Sequence, residues 1–180
     1  MRTVTYGAAC SLDGFIARAD NGVEWLQMTR DAQAVMERFW PTIDTILFGR
    51  RSWEFAMQSG ASGGASGGIT SYVFSRTLKP TDVTGAELVS ENAGAFVADL
   101  KRREGKGICV MSGGDLAASL LAAGVVDQIG LNIHPILLGA GVPMFRSSGA
   151  GDVQLELAEC REMSGGCVLV NYRVKKPRTT

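Results

Sequence analysis

The chain has 180 residues, of which 46% are hydrophobic and 20% are charged, and its formal net charge is +0 at pH 7. That length suits one hydrophobic core, so we expect a single domain over residues 1–180. The composition excludes a disordered chain. Without a basic field, we expect neither nucleic acid nor an anionic membrane as a partner.

Cysteine and histidine are too scattered to predict a metal site. The four cysteines form no Cys-x-x-Cys pair, and the only histidine is His134. Metal sites of this type need clustered ligands, so we expect no metal. The N-terminus has no signal-peptide apolar region, and no apolar run reaches the ~20 residues that span a bilayer. We therefore expect a cytoplasmic protein.

Apolar runs bounded by turn residues predict the strands. In chain order these runs are residues 4–10 with a short continuation at 15–17, then 45–48, 72–74, 108–111, 128–138, 155–160 and 168–174. Pro135 interrupts the run at 128–138, and Ser164-Gly165-Gly166 joins the last two runs as an antiparallel pair.

Four helices are predicted from apolar spacing and capping residues. Thr29 caps a helix over residues 30–40, and a second helix begins near Arg51. Asn92 caps a third helix that reaches Arg103, and a fourth covers residues 115–123. Residues 59–68 repeat Ala-Ser-Gly-Gly and predict a flexible surface loop; a phosphate-binding loop is the alternative, although no Gly-Lys-Ser/Thr arrangement follows.

The alternation of strands and helices predicts an α/β protein. We expect a three-layer α-β-α architecture whose central sheet is mostly parallel and becomes mixed through the last two strands. The apolar C-terminal strands and Val125-Val126 fit either a homodimer surface or core strands. Because ligands bind beyond the carboxyl ends of the strands in such sheets, the residues that follow the strands are the candidates for a site.

The first candidate segment is Gly49-Arg50-Arg51-Ser52. Its glycine permits a tight turn, the following helix offers free N–H groups, and two guanidinium groups match phosphate oxygens. A strand that ends at glycine beside two solvated arginines is the alternative.

The second candidate segment is Ser75-Arg76, whose hydroxyl and guanidinium could hold a monophosphate such as the 2′-phosphate of NADPH. A solvated turn is the alternative.

The third candidate segment is Ser112-Gly113-Gly114-Asp115-Leu116, where two glycines would let the backbone approach a pyrophosphate at a helix N-terminus. It lacks the Gly-x-Gly-x-x-Gly fingerprint, and tight strand–helix packing is the alternative. Together, the three segments could follow an extended dinucleotide across the sheet edge.

Several segments resemble, in chain order, the dihydrofolate reductase superfamily. They are Ser-Leu-Asp-Gly-Phe-Ile-Ala at 11–17, Asn-Gly-Val-Glu-Trp-Leu at 21–26, Gly-Arg-Arg-Ser within 46–54, the segment at 112–116 followed by 124–129, and residues 135–145. The nearer branch includes the reductase domain of the riboflavin-biosynthesis deaminase-reductase. The resemblance implies a dihydrofolate reductase-like fold and NADPH as cofactor.

The resemblance also implies roles for the matched residues. Gly49–Ser52 would hold the cofactor phosphates, and Ser75–Arg76 would lie near the adenosine 2′-phosphate. Gly113–Leu116 would line the pyrophosphate. The backbone near Ala9 and the side chain of Ile16 would border the nicotinamide carboxamide.

Two acids, Asp13 and Asp31, are the candidate catalytic residues. In dihydrofolate reductases an acid on the first helix binds the pterin ring, and the place of Asp31 after Trp25 suits that role. Either acid would orient a polar ring or supply it with a proton. The alternatives are a first-turn helix acid for Asp31 and a bend residue for Asp13.

These implications predict an NADPH-dependent reductase that transfers hydride to a small heterocyclic or ribosylamine substrate, with residues 18–25 moving over the site. Ser112 stands where the riboflavin branch typically has Glu, and the 180 residues contain no deaminase domain, which argues against the riboflavin substrate itself. The alternative is a non-catalytic nucleotide- or small-molecule-binding protein of the same fold. A flavodoxin-like protein is a third hypothesis.

Overall fold

The computed structural model describes residues 1–60, 68–146 and 151–176. Within these ranges ten strands and four α-helices follow one another as β1 (Val4–Ser11), β2 (Phe15–Ala17), α1 (Arg30–Phe39), β3 (Ile43–Gly49), α2 (Arg50–Gln58), β4 (Thr70–Phe74), β5 (Glu87–Val89), α3 (Ala93–Arg102), β6 (Gly107–Met111), α4 (Gly114–Ala122), β7 (Gln128–His134), β8 (Val142–Pro143), β9 (Leu155–Met163) and β10 (Cys167–Val174).

Eight of these strands form a central sheet in the order β5-β4-β3-β6-β1-β7-β10-β9. The strands from β5 to β7 are parallel, and β10 is antiparallel to both β7 and β9. The short strands β2 and β8 form a separate antiparallel pair. The predicted mixed, mostly parallel sheet is confirmed. The flavodoxin-like hypothesis is wrong, because that fold orders its parallel strands 2-1-3-4-5.

Helices cover both faces of the sheet because alternate residues of each strand point to opposite sides. On one face Leu47 belongs to a buried cluster with Val97 of α3 and Leu120 of α4. On the other face α1 and α2 pack against the sheet through two further clusters that include Ile46, Phe48, Trp53, Ala32 and Leu169. The three-layer prediction is therefore confirmed.

Several local expectations differ from the structure. The strand predicted over residues 128–138 ends at His134, because Pro135 has no N–H to continue the ladder. The sequence does not predict β5 and β8, which are too short to show a period. Val125 and Val126 are buried in the core. The predicted loop at 59–68 falls mostly on residues 61–67, outside the described ranges.

Two further properties concern the described part of the chain. None of its helices combines the length and the apolar character needed to cross a membrane. Its His, Cys, Asp and Glu side chains nowhere assemble in threes as a metal site would require.

Candidate active site

The carboxyl ends of four neighbouring strands meet at one edge of the sheet. The strands are β4, β3, β6 and β1, which are adjacent and parallel. Their register pairs Gly49 with Phe74, and Phe48 with Met111. The three anion-suited segments follow β3, β4 and β6, so the structure places them side by side.

Helices α2 and α4 begin at this edge with N-termini that no side chain caps. Their N-cap residues are Gly49 and Gly113, which offer no side-chain acceptor. By contrast, the side chains of Thr29 and Asn92 accept backbone N–H groups at the starts of α1 and α3. A Cβ built on Gly49 would lie 3.6 Å from the Cβ of Ser112, so the two uncapped helix ends adjoin. Free N–H groups and two positive dipole ends favour an anion there.

The paired glycines have different surroundings. A Cβ built on Gly114 would lie 2.9 Å from Cγ and 3.0 Å from the backbone nitrogen of Arg146, so close packing requires glycine at this point. A Cβ built on Gly113 would meet Ile16 Cδ1 and Val142 Cγ1 at 3.8 Å, which is ordinary contact. Tight packing therefore explains the glycine at position 114. At Gly113 packing does not require a glycine, and the backbone at the start of the helix stays accessible.

The arginines of the predicted phosphate segments are exposed at this edge. Arg50 donates from Nη1 to Thr77 Oγ1 at 3.1 Å and lies 3.5 Å from Glu54, which ties the start of α2 to the loop after β4. Arg51 and Arg76 form no ion pair with any residue of 1–60, 68–146 or 151–176. Their guanidinium charges are therefore available to a phosphate.

The hydroxyl of Ser75 shapes the turn after β4. Its Oγ accepts the backbone N–H groups of Thr77 at 3.2 Å and Leu78 at 3.1 Å. The hydroxyl hydrogen can still donate to a ligand oxygen. Thr77 links this turn to Arg50, a contact that the sequence analysis missed.

Arg146 is a second group that the sequence analysis missed. Its Nε lies 3.3 Å from the exposed carboxylate of Asp115, in the first turn of α4. A carboxylate at this point would repel a phosphate, and the guanidinium of Arg146 offsets that charge. Arg146 lies far along the chain from Asp115, so no local spacing reveals the pair.

Ala9 and Ile16 border the same edge from β1 and β2. Ala9 is half-buried and pairs in register with Asn132 of β7. Ile16 contacts the start of α4 at Gly113. The structure thus brings together residues expected at the nicotinamide and at the pyrophosphate, while the roles themselves stay predictions.

The carboxylate of Asp13 anchors the loop that follows β7. It accepts hydrogen bonds from Ser11 Oγ at 2.6 Å, from the backbone of Leu138 at 3.1 Å and from that of Gly139 at 2.7 Å. The Ser11 hydroxyl, with these backbone donors, lowers the pKa of Asp13 below its ordinary value. An ionised carboxylate suits orientation of a ring better than proton supply, and the catalytic role of Asp13 stays a prediction.

Asp31 makes an equivalent link between α1 and the turn joining β9 to β10. It accepts both the backbone N–H and the hydroxyl of Ser164 at 2.7 Å. The Ser164 backbone N–H, and then its hydroxyl, lower the pKa of Asp31. Its catalytic role also stays a prediction, and its carboxylate is engaged in holding the hairpin.

A polar cluster around a buried imidazole at the end of β7 is the largest feature that the sequence analysis missed. We name it the His134 cluster; it consists of Trp25, Gln27, Asn132, His134 and Cys167. The backbone N–H of Gln27 lies 3.4 Å from His134 Nδ1, and Cys167 Sγ lies 3.5 Å from the same nitrogen. Asn132 Nδ2 lies 3.3 Å from His134 Nε2, and the Trp25 ring meets the imidazole edge-on at 5.4 Å. Burial lowers the pKa of His134.

The family model described as the RibD C-terminal domain matches residues 2–169. The chain belongs to the RibD C-terminal domain family. The expected membership of the dihydrofolate reductase-like superfamily, in its riboflavin branch, is thereby confirmed. The family is one of reductase-like domains, which agrees with the placement of the candidate site at the strand ends.

Two Bacillus subtilis (strain 168) proteins resemble the chain over almost its whole length. The uncharacterized protein YyaP is 31% identical over 181 residues, covering 95% of this chain and 94% of YyaP. The uncharacterized protein YwjB is 29% identical over 180 residues, covering 95% of this chain and 97% of YwjB. The similarity thus extends over almost the whole of both relatives.

Solved structures share the fold of this family member. A candidate riboflavin biosynthesis protein from Shewanella sp. PV-4 has a TM-score of 0.80 and 22% identity, covering 97% of this chain and 99% of that one. A Thermotoga maritima deaminase/5-amino-6-(5-phosphoribosylamino)uracil reductase has a TM-score of 0.67 and 15% identity, covering 97% and 57%. Enterococcus faecalis dihydrofolate reductase, complexed with NADP(H), has a TM-score of 0.67 and 14% identity, covering 97% of each chain.

Alanine at Gly114 and at Gly113 should separate packing from backbone access. Gly114→Ala forces Arg146 and its backbone to move, so we expect it to lower the free energy of unfolding by about 1–3 kcal/mol. Gly113→Ala meets only ordinary contacts and should lose less. Urea denaturation of both variants measures the difference, and a larger loss for Gly113→Ala would contradict this account of the turn.

The buried imidazole should make stability depend on pH near neutrality. His134 has a lowered pKa in the native state, whereas the pKa of an unfolded histidine is about 6.5. Below that pH the unfolded chain binds the proton more readily, so the free energy of unfolding should fall between pH 7.5 and 5.5. Urea titrations of tag-free protein should show a flatter dependence for His134→Gln. If the free energy of unfolding of the two proteins depends equally on pH, the lowered pKa of His134 is refuted.

Proposed function

We propose that this protein is an NADPH-dependent reductase acting on a C=N or C=O carbon of a small heterocycle or ribosylamine. The observation that carries the proposal is the pair of uncapped helix N-termini, those of α2 and α4, which adjoin at the ends of neighbouring strands. Two such ends present N–H donors and positive dipoles to one place, and a diphosphate is the group that fits them.

The residues along this edge suit each part of the cofactor in spatial order. Arg76 and Ser75 follow β4 and would hold the 2′-phosphate, and Arg50 and Arg51 beside β3 would neutralise the diphosphate. The Gly113 turn after β6 would bind the diphosphate through backbone N–H groups. Ala9 and Ile16, from β1 and β2, would border the nicotinamide. The line crosses three strand spacings of about 4.8 Å each, which accommodates an extended dinucleotide.

The bound nicotinamide would supply the hydride. The protein itself would orient the two reactants and exclude water. Trp25 is suited to exclusion, because it brings a large apolar ring from the loop before α1 down to β7, where it is 8% exposed. We expect residues 18–25 to move when the site opens.

The relatives support the cofactor and the substrate class. The Enterococcus faecalis reductase is complexed with NADP(H), and the Thermotoga maritima protein is a 5-amino-6-(5-phosphoribosylamino)uracil reductase. We extend NADPH and a pyrimidine- or pteridine-like substrate to this chain because two uncapped helix N-termini adjoin at the proposed site. Homodimerisation, a cytoplasmic location and the single-domain extent also stay predictions.

A non-catalytic small-molecule-binding protein is the second candidate function. It is favoured by one observation: the carboxylates of Asp13 and Asp31 both anchor loops and are held ionised. Substrate-dependent oxidation of NADPH separates the two functions, since a binding protein would take up NADPH without oxidising it.

Arg76 should discriminate between the two nicotinamide cofactors. A charge-assisted hydrogen bond contributes about 1.5–3 kcal/mol, so Arg76→Ala should raise the Kd for NADPH roughly tenfold or more. NADH lacks the 2′-phosphate, and its Kd should change less than about twofold. Fluorescence titration measures both constants, with Arg102→Ala on α3 as the control. Equal weakening of NADPH and NADH would refute the role of Arg76.

A further inference from the structure

Two buried polar atoms have no hydrogen-bond partner within the described ranges, Trp25 Nε1 and Asn132 Oδ1. Both belong to the His134 cluster. An unpaired buried polar group costs about 1–3 kcal/mol, so two such groups around one imidazole are not explained by packing alone. They point to a polar ligand.

The contacts of His134 determine how the Asn132 amide is turned. The Gln27 backbone N–H is directed at Nδ1, so Nδ1 is an acceptor. A neutral imidazole then carries its proton on Nε2 and donates from it. The Asn132 group beside Nε2, 3.3 Å away, must therefore be the amide carbonyl. In that arrangement the NH₂ of Asn132 takes the unpaired place.

The two unpaired groups of the His134 cluster are consequently both donors, the indole N–H of Trp25 and the NH₂ of Asn132. We propose that these groups bind one acceptor oxygen of the substrate, a ring carbonyl, and reject a ring that carries an amino group in its place. His134 is the positioning residue, because it fixes the orientation of Asn132. This inference rests on the proposed function, which places the nicotinamide beside β1.

The position of Asn132 in the sheet is that expected of a substrate contact. Asn132 pairs in register with Ala9, one strand spacing of about 4.8 Å from the nicotinamide border. In the order β4-β3-β6-β1-β7, the cofactor line ends at β1, and β7 comes next. Gly7 lies on the same face of β1 as Ala9, and a Cβ built there meets nothing within 4 Å. That open face leaves room for a flat ring.

The imidazole of His134 couples recognition of the substrate to closure of the loop before α1. The loop before α1 supplies Trp25, and the Gln27 N–H attaches that loop to His134. A substrate oxygen held by Trp25 and Asn132 would bridge this loop to β7. The donors would therefore be complete only when the loop is closed.

The test compares two flat probes, pteridine-2,4-dione (lumazine) and 2,4-diaminopteridine, by calorimetry in saturating NADPH. The wild-type protein should bind the dione at least tenfold more tightly. Asn132→Asp replaces the NH₂ by an acceptor and should reverse this preference, whereas Trp25→Phe removes one donor and should weaken the dione about fivefold or more. Asn92→Asp and Trp40→Phe are the matched controls and should leave the preference unchanged.

An independent reading comes from ¹⁵N-labelled protein. The indole N–H resonance of Trp25 should move on addition of the dione and stay in place with the diaminopteridine. His134→Gln should lower dione affinity while leaving the Kd for NADPH unchanged. If Asn132→Asp does not fold, Asn132→Ser should abolish the preference without reversing it.

Equal binding of the two probes, binding of neither, or an unchanged preference in the Asn132 variant would overturn the inference. The titrations are repeated without NADPH, and NADPH binding is measured alone. Failure of NADPH to bind would refute the proposed function. Loss of the dione preference with intact NADPH binding would refute only the proposed binding of a ring carbonyl by Trp25 and Asn132.

Discussion

The convergence of two helix N-termini that have no side-chain caps is the constraint on which the site depends. Strands β3 and β6 are parallel neighbours, so the helices that follow them begin at the same edge. Each helix end contributes about 0.3–1 kcal/mol toward a nearby anion, and more where water is partly excluded. Because Gly49 and Gly113 supply no side-chain cap, this attraction would act on the bound cofactor under the proposed function.

The rim of the site is held by ionised and neutral polar groups that connect segments far apart in sequence. Asp13 fixes the loop after β7, and Asp31 fixes the turn between β9 and β10. His134 attaches the loop before α1 to β7. These three links attach loops to the substrate side of the proposed site, whereas its proposed cofactor side is formed by helix ends.

The segments proposed to bind the cofactor are recognisable in the sequence because their signals are local. Gly49 with two following arginines, and Gly113 at a strand–helix junction, are readable as short segments, and the parallel topology brings them together. The sequence does not predict contacts between residues that lie far apart in the chain. Arg146 contacts Asp115, and Thr77 contacts Arg50, only in the folded chain, and no local sequence pattern predicts either contact.

The surroundings of His134 show the same limit more strongly. His134 is the only histidine, and its sequence neighbours give no sign that Trp25, Asn132 and Cys167 surround it. Pro135 makes the end of β7 predictable in retrospect, yet the pattern of apolar residues continues beyond it. Asp13 and Asp31 are noticeable as acids in the sequence, whereas their hydrogen-bond partners appear only in the folded chain.

Backbone amide spectra with and without NADP⁺ test the central claim most directly. The account predicts that the largest ¹H–¹⁵N shifts fall on residues 50–52 and 113–116 together, at the starts of α2 and α4. The amides at the capped starts of α1 and α3 should move much less. Saturable NADP⁺ binding that leaves residues 50–52 and 113–116 unperturbed would contradict the account.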